Sequence, residues 1–299
     1  MNNANLHLLF NTRYFSDKEL DFSLILSDRK SEKYKVYFEK KNEAILSRSF
    51  NISVDGSFIK NLFENLQFDN SKSFCLKILN PGLLIGAGYS HEIKYKGEIK
   101  LGFSFDYTSG LPYIPGSSIK GVLRSIFPDW SNQRKIRLTD KALKIKENQT
   151  FFLLNFIHGI KDKNSGSDPL NQKYISAIEN EIFNGIVNDN KLSIYQRDVF
   201  FDAMLENTKN TEILDKETIT PHFKKGIPLQ DVILKEPDPI TFIKVRPGIS
   251  FRFGFYVHDN TAADSSLLSP SLKLKLFMHV LTTIGIGAKT NVGFGQLSE

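Results

Sequence analysis

Helical spacing of apolar residues is clearest at two places in the chain. One amphipathic helix is predicted near Ser117–Phe127 and another over Ser271–Ile284. The first carries a continuous apolar stripe formed by Ile119, Val122, Leu123, Ile126 and Phe127. Ser117 or Ser118 is predicted to cap its N-terminus, and Pro128 to end it. Each helix therefore has one face suited to a hydrophobic core.

Strand-like alternation surrounds these helices. The candidate strands are Ser73–Leu79, Leu101–Phe105, Val199–Leu205, Phe242–Val245, Ile249–Val257 and Val292–Leu297. With the helices they approximate the order strand, helix, strand, strand, helix, strand, which is typical of a ferredoxin-like α+β domain. The same architecture is the platform of the RRM, so an RRM-like sheet is expected.

The periodic elements divide the chain unevenly. Residues 1–70 are irregular in pattern and are interpreted as an N-terminal extension. Residues 71–299 are predicted to form the ferredoxin-like domain, with a polar and mostly helical insertion at about 130–195.

A glycine-rich loop follows the last predicted helix. Its candidate anion-binding residues are Gly285, Gly287, Lys289, Thr290, Asn291, Gly293 and Gly295. Glycines allow backbone N–H groups to turn toward one anion, and Lys289 adds a charge. A nucleotide P-loop is excluded because Ala288 precedes Lys289 and because the helix comes before the loop. A turn that only packs the last strand remains the alternative.

A second candidate phosphate site lies at the start of the first helix. It consists of Gly116, Ser117, Ser118, Lys120 and Arg124, where free N–H groups and two cations are expected. Its alternative is an ordinary amphipathic helix with solvated cations. A smaller glycine loop contributes Gly86, Gly88 and the neighbouring His91 as further candidates.

Positive charge is concentrated rather than spread. The chain has a net charge of +6 and a pI near 9.1. Residues 117–146 hold eight Lys or Arg against two Asp, 8 − 2 = +6, and residues 265–298 hold no acid. An electropositive surface that faces a polyanion is the functional interpretation of this distribution. A solvated helix face, which most runs of charge form, is the alternative.

Composition excludes several other classes. The single cysteine, Cys75, excludes an intrachain disulfide and a cysteine-rich zinc site. No apolar run reaches membrane-spanning length and no secretory signal is visible, so no membrane association and a cytoplasmic location are expected. No cofactor or metal site is predicted.

Residues 110–124, Gly-Leu-Pro-Tyr-Ile-Pro-Gly-Ser-Ser-Ile-Lys-Gly-Val-Leu-Arg, together with the terminal glycine loop resemble the RAMP superfamily of CRISPR proteins. Four further segments are similar to one branch of that family, the sixth subunits of the Cmr (type III-B) effector complex. They are Asn5–Phe10, Val199–Ala203, Thr220–Phe223 and Pro237–Phe242. Residues 130–195 depart from the pattern.

The resemblance implies a non-catalytic subunit that caps the 3′ end of the CRISPR RNA in antiviral defence. Its implied partners are that RNA and the backbone and small subunits of the Cmr complex. It also implies that Ser117, Ser118, Lys120, Arg124 and the loop around Lys289 face RNA phosphates.

An endoribonuclease, metal-dependent or histidine-dependent, is the rival hypothesis. Target-cutting relatives carry an aspartate that aligns near Lys100, and a lysine cannot replace it. Glu98 and Asp106 lie close enough to keep the possibility open. Of His91, His158, His222, His258 and His279, only His91 adjoins a candidate loop.

A generic RNA-binding protein is a third possibility. Phe251, Phe253 and Phe255 share one face of a predicted strand and could stack bases, although filling the core is the favoured role. Contacts directed at the RNA backbone are therefore expected.

Overall fold

The computed structural model describes residues 5–16, 20, 32, 34–52, 71–86, 97–99, 103–128, 130, 140–206, 208–219, 240–259 and 268–299. The helices are α1 (Lys35–Leu46), α2 (Gly116–Ser125), α3 (Asp140–His158), α4 (Pro169–Glu179) and α5 (Pro270–Ile284). The strands are β1 (Ser49–Ile52), β2 (Ser71–Ile78), β3 (Tyr113–Ile114), β4 (Ile186–Val187), β5 (Asn190–Lys191), β6 (Val199–Phe200), β7 (Ala203–Leu205), β8 (Thr208–Glu212), β9 (Leu214–Ile219), β10 (Ile240–Val245), β11 (Ser250–Tyr256) and β12 (Leu297–Ser298).

The main sheet is antiparallel and has the order β12-β2-β11-β7-β3, with β6 also paired to β11. Its longest ladder joins β11 to β2, with Phe251 opposite Leu76 and Phe255 opposite Lys72. Two-stranded ladders join β1 to β8, β9 to β10 and β4 to β5. The expected combination of helices with an antiparallel sheet is confirmed.

One hydrophobic core lies against this sheet. Phe251, Phe253 and Phe255 are each 0% exposed, so the alternation predicted for this strand is confirmed and the three rings fill the core. Phe277 of α5 packs on Phe255 and on Phe200, with ring centroids 5.2 and 5.7 Å apart. Phe251, Phe253 and Phe255 are therefore unavailable for stacking on RNA bases.

Helix α2 covers the same face of the sheet, as its apolar stripe predicts. Ile119 and Leu123 are buried, and so are Ile126 and Phe127 just beyond the helix. The predicted serine cap is wrong, because Pro115 is the N-cap and makes no side-chain cap. The Pro115 carbonyl accepts the N–H groups of Ser118 and Ile119, at 2.9 and 3.1 Å, which places both serines inside the first turn.

Two predicted strands are shorter than expected, and the described part of a third, Leu101–Phe105, forms only an isolated bridge between Phe105 and Pro112. Val199–Leu205 divides into β6 and β7, because Asp202 leaves the ladder and its carboxylate accepts the N–H of Gly116 at 2.7 Å. The last strand is reduced to β12 and is preceded by a 3-10 turn at Thr290–Val292. Gly293 and Gly295 have φ of +97° and +67°, and positive φ is incompatible with a continuing strand.

The described residues between α2 and β6 are mostly helical, in agreement with their polar helical pattern, and also include the short hairpin of β4 and β5. Asp168 caps α4 by accepting the N–H of Leu170 at 2.9 Å. Leu153 of α3 and Ile175 of α4 belong to the same core as the sheet, and so does Phe10 from the N-terminal region. The division of the chain into an extension, a domain and an insertion stays a prediction.

Helices α2 and α5 pack against each other. Their C-terminal ends share a cavity of about 390 Å³ that is lined by Ser125, Ile126, Thr283 and Ile284 together with residues of α3. Their N-terminal ends both lie near β6, where Gly116 packs on Phe200 and Lys273 binds Asp198. The end of α5 that leads into the glycine loop is therefore remote from the start of α2.

Candidate nucleic-acid interface

The start of α2 is built around close packing of backbone on backbone. A Cβ at Gly116 would overlap the carbonyl oxygen of Phe200, so no larger residue fits there without displacing β6. The Gly116 N–H is donated to the Asp202 carboxylate, which takes the place that an anion would otherwise occupy at this helix end. The backbone of Gly116 thus has a structural role, and an incoming phosphate would have to meet the side chains instead.

Those side chains line an open groove, called here the basic groove, with a volume of about 250 Å³. It is lined by Gly116, Ser117, Lys120, Ile194, Arg197, Asp198, Val199 and Phe200. The Lys120 ammonium lies over the Phe200 ring, 5.8 Å from its centroid. Burial lowers the pKa of Lys120, and the positive charges of Arg124 and Arg197 lower it further.

Two cations that line the same groove favour an anion between them. Ser118 is exposed on the first turn of α2 and is not part of the groove lining. The sequence analysis did not identify Arg197, because Arg197 is distant in sequence from the α2 motif.

Arg124 has a partner within the protein. Its Nε lies 2.8 Å from Glu179 Oε1, and its Nη1 lies 3.2 Å from Asn184 Oδ1. The guanidinium therefore ties α2 to the end of α4. Of the two cations predicted on α2, Lys120 is the one directed into the basic groove.

A buried ion pair fixes one wall of the basic groove. Lys273 Nζ lies 2.6 Å from Asp198 Oδ2, and the two side chains are 1% and 3% exposed. The same ammonium donates to the His258 carbonyl at 2.6 Å, and Asp198 also accepts the His258 N–H at 2.8 Å. Burial raises the pKa of Asp198, although Lys273 opposes that shift.

The pair links the first turn of α5 to the residue before β6. A signal for it exists in the sequence, because Lys273 stands at a stripe position three and four residues before Leu276 and Phe277. A cation on an apolar stripe indicates a buried partner, which the sequence alone does not identify.

The base of the glycine loop is packed backbone. The Ile286 N–H donates to the Gly295 carbonyl at 2.9 Å, and the Gly295 N–H donates to Gly82 at 2.8 Å. A Cβ at Gly295 would overlap the Ile286 carbonyl oxygen, and one at Gly287 would overlap the Leu84 oxygen. Gly285 is equally confined, with its hypothetical Cβ 2.6 Å from the Gly295 oxygen. These contacts account for three of the glycines by packing, as the structural alternative requires.

The apex of the loop has a different character. Lys289 and Asn291 are exposed and Thr290 is partly exposed. Lys289 has φ of +61°, a left-handed conformation that costs a residue with a side chain about 1–2 kcal/mol. Glycine would avoid that cost, and its absence from this position is consistent with a role for the lysine side chain. Gly86 is exposed and lies two residues beyond Leu84, whose carbonyl accepts the Ala288 N–H. Gly88 and His91 lie outside the described residues.

The structure does not bring the two predicted phosphate sites together. Lys273, in the first turn of α5, lies beside the basic groove, whereas Gly285 ends the same helix. The rise of 1.5 Å per residue separates them by about 18 Å. One phosphate cannot contact both sites, but a strand of several nucleotides can.

The candidate catalytic groups of the nuclease hypothesis are engaged in local contacts. One oxygen of Asp106 accepts hydrogen bonds from Thr108 Oγ1, Ser109 N and Ser109 Oγ at 2.6–2.7 Å. Burial alone would raise the pKa of Asp106, but the hydrogen bonds from Ser109 and Thr108 lower it. Glu98 is buried, at 1% exposed. Lys100 lies outside the described part of the chain.

The histidines are distributed over different structural settings. His158 Nε2 lies 2.9 Å from the Tyr174 hydroxyl, and His279 stacks on Phe152 and Phe156. His258 belongs to the strand end beside Asp198, and His222 is outside the described residues. Among the residues that the structure describes, no three metal-ligating side chains come together.

None of the described helices is both long and apolar enough to cross a membrane. Among solved structures, almost the whole chain is similar to a chain of "Cryo-EM structure of the Type III-B Cmr-beta bound to cognate target RNA". The TM-score is 0.54 at 22% identity, over 98% of this chain and 84% of the other. The crystal structure of Cmr6 from Pyrococcus furiosus aligns with a TM-score of 0.35 and 22% identity, over 77% of this chain and 97% of the other.

A curated relative is similar over most of the sequence. It is the "CRISPR system CMR subunit Cmr6" of Saccharolobus solfataricus, which is 26% identical over 281 residues, 91% of this chain and 75% of the relative. The sequence profile of the RAMP superfamily matches residues 75–298, which include both glycine loops, α2 and the basic groove. The chain therefore belongs to the RAMP superfamily.

Proposed function

We propose that this chain is a non-catalytic, RNA-binding subunit of a type III-B CRISPR (Cmr) effector complex, with the role of the sixth subunit. It caps the 3′ end of the guide RNA and contacts the backbone and small subunits of that complex. The similarity to Cmr6 supports the placement, and the implied partners follow from it.

The finer fold proposal is a ferredoxin-like sheet. Strands β12-β2-β11-β7 are antiparallel neighbours, so β11 lies between β2 and β7, and β2 lies between β11 and β12. This interleaving is that of two split βαβ units. Strand β3 pairs with β7 at one edge of the sheet, and α2 begins directly after β3 in the chain.

The observation that carries the proposed function is that Lys120 and Arg197, which are distant in sequence, line the same open groove. Lys289 extends the positive charge to the far end of α5. Contacts of this kind address the phosphate backbone and are independent of sequence, as expected where base pairing of the guide supplies specificity. We expect one RNA strand to pass from Lys120 toward the loop that holds Lys289.

The competing function is an endoribonuclease. Asp106 is a weak candidate for it, because three hydrogen bonds hold its carboxylate within its own turn. No described histidine faces the basic groove. These contacts favour binding without cleavage.

A single incubation distinguishes the two functions. The purified chain is mixed with labelled single-stranded RNA, with and without magnesium, across a salt series, and both retention and RNA length are measured. Retention that falls steeply with salt, with intact RNA, is expected of the binding subunit. Cleavage that disappears in an Asp106→Ala or His91→Ala variant would overturn the proposal.

A further inference from the structure

An exposed aromatic residue, Tyr195, lies next in sequence to Ile194, which lines the basic groove. Ile194 and Tyr195 belong to a 3-10 turn (Ile194–Gln196) and are 71% and 83% exposed. Ile194 also lines the groove together with Lys120 and Arg197. Proteins that bind single-stranded nucleic acid combine such features, because cations follow the backbone while aromatic rings stack on bases.

Hydrogen bonds from neighbouring residues stabilise the turn that carries Tyr195. Arg197 donates from Nε and Nη2 to the Leu192 carbonyl, at 2.9 and 2.6 Å. The Gln196 N–H donates to the Ser193 carbonyl at 3.0 Å, and the Ser193 hydroxyl donates to Gln196 Oε1, also at 3.0 Å. A Tyr side chain on a fixed turn loses little conformational entropy when a ligand packs on it.

The charges around the turn suit a phosphate rather than a cationic partner. Asp198 is the carboxylate that lines the groove, and it is buried against Lys273. Glu179 is paired with Arg124, and Asp202 accepts the N–H of Gly116. Lys120 is left directed into the groove with Arg197 beside it.

We propose that Tyr195 stacks on a base of a single-stranded RNA whose phosphates lie along Lys120 and Arg197, with Ile194 packed beside the ring. This inference rests on the proposed RNA-binding function and adds a base-contacting residue to it. Tyr195 lies outside residues 110–124 and the terminal glycine loop, so the proposed stacking contact is separate from those two motifs.

The experiment measures binding of the full chain to a single-stranded RNA decamer for the wild type, Tyr195→Ala and Tyr195→Phe. Loss of one stacked base is expected to weaken binding by roughly 5- to 140-fold in Tyr195→Ala, and Tyr195→Phe is expected to restore it. Tyr107→Ala is the matched control, because Tyr107 is also a turn residue, 78% exposed, whose ring contacts His7.

Abasic decamers identify the stacked position. One abasic site is expected to weaken wild-type binding and to leave Tyr195→Ala unaffected, since the contact is already absent in that variant. If the wild type binds RNA in a salt-dependent manner but Tyr195→Ala binds equally well, stacking is overturned while the RNA-binding function stands. If that same variant loses association with other complex subunits, the turn is a protein interface and stacking is again overturned. If the wild type binds no RNA, both proposals fail.

Discussion

The basic groove and the glycine loop were both candidate phosphate sites, yet they are built in different ways. The groove assembles Lys120 and Arg197 from distant parts of the chain and rests on a buried ion pair. The loop is continuous in sequence, and its base is held by backbone contacts with residues 82–84. In this protein the glycine pattern of the sequence indicates close backbone packing more directly than it indicates ligand binding. The cations of the groove come from distant parts of the chain, so only the folded structure identifies them as a cluster.

The largest effect is expected from the ion pair beneath the groove. Lys273→Met leaves the buried carboxylate of Asp198 without its partner and should lower the free energy of unfolding by about 3–5 kcal/mol at neutral pH. Chemical denaturation measures this loss. A loss below about 1 kcal/mol would show that the pair does not anchor the groove wall.

The pH dependence of that variant has a defined sign. Burial raises the pKa of Asp198 above its ordinary value of 3.8 in the folded protein. A raised pKa means that the folded state holds the proton more tightly, so stability falls as pH rises through the folded pKa. Without Lys273 the shift is larger, and the deficit of Lys273→Met should shrink as pH is lowered toward 4. A deficit that stays constant between pH 7 and pH 5 would contradict this.

The glycine loop offers a matched pair of substitutions. Gly295→Ala places a Cβ against the Ile286 oxygen at positive φ and should cost about 3 kcal/mol or more. Gly293 also has a positive φ, +97°, but a Cβ at this position would lie 3.7 Å from its nearest neighbour, Pro81 Cδ. Gly293→Ala is therefore expected to cost only the backbone strain of about 1–2 kcal/mol. Thermal unfolding compares them, and equal losses would show that packing does not govern the loop.

Measurements of RNA binding test the basic groove through Lys120 and the glycine loop through Lys289. Lys120→Ala should reduce the salt slope of RNA binding by about 0.7, which is about fivefold in affinity at 0.1 M salt. Lys289→Gly should reduce it similarly while leaving stability unchanged or higher, because glycine relieves the left-handed strain. With a long RNA the two effects should add, since the sites are about 18 Å apart. An unchanged slope in either variant would remove that residue from the interface.

The smallest effect is expected at Asp106. Asp106→Ala removes the hydrogen bonds that hold residues 106–109 in a turn and should cost about 1 kcal/mol. The lowered pKa implies that this contribution is present above pH 4 and is lost as pH falls through the folded pKa. RNA retention and RNA length should both be unchanged in this variant. A change in either would return Asp106 to the candidate site.

Local pattern was sufficient for the main elements. Period-two alternation predicted β2 and β11, and the stripe from Ile119 to Phe127 predicted α2, because burial of one face imposes those periods. The segment 110–124 and the terminal glycine loop also predicted the RAMP superfamily. Capping and strand length were less predictable. Pro115 caps α2 through its backbone carbonyl alone, and Asp202 interrupts the strand through a contact with Gly116, which is distant in sequence.

The sequence by itself determined the α+β class, the core faces and the family of this protein, because these depend on periodicity and on contiguous motifs. Only the tertiary structure decided which cations act together. It tied Arg124 to Glu179, brought Arg197 to Lys120 and separated Lys120 from the glycine loop by the length of α5. The physical reason is that electrostatic interactions depend on distance in space and on burial, and neither is encoded in local spacing along the chain.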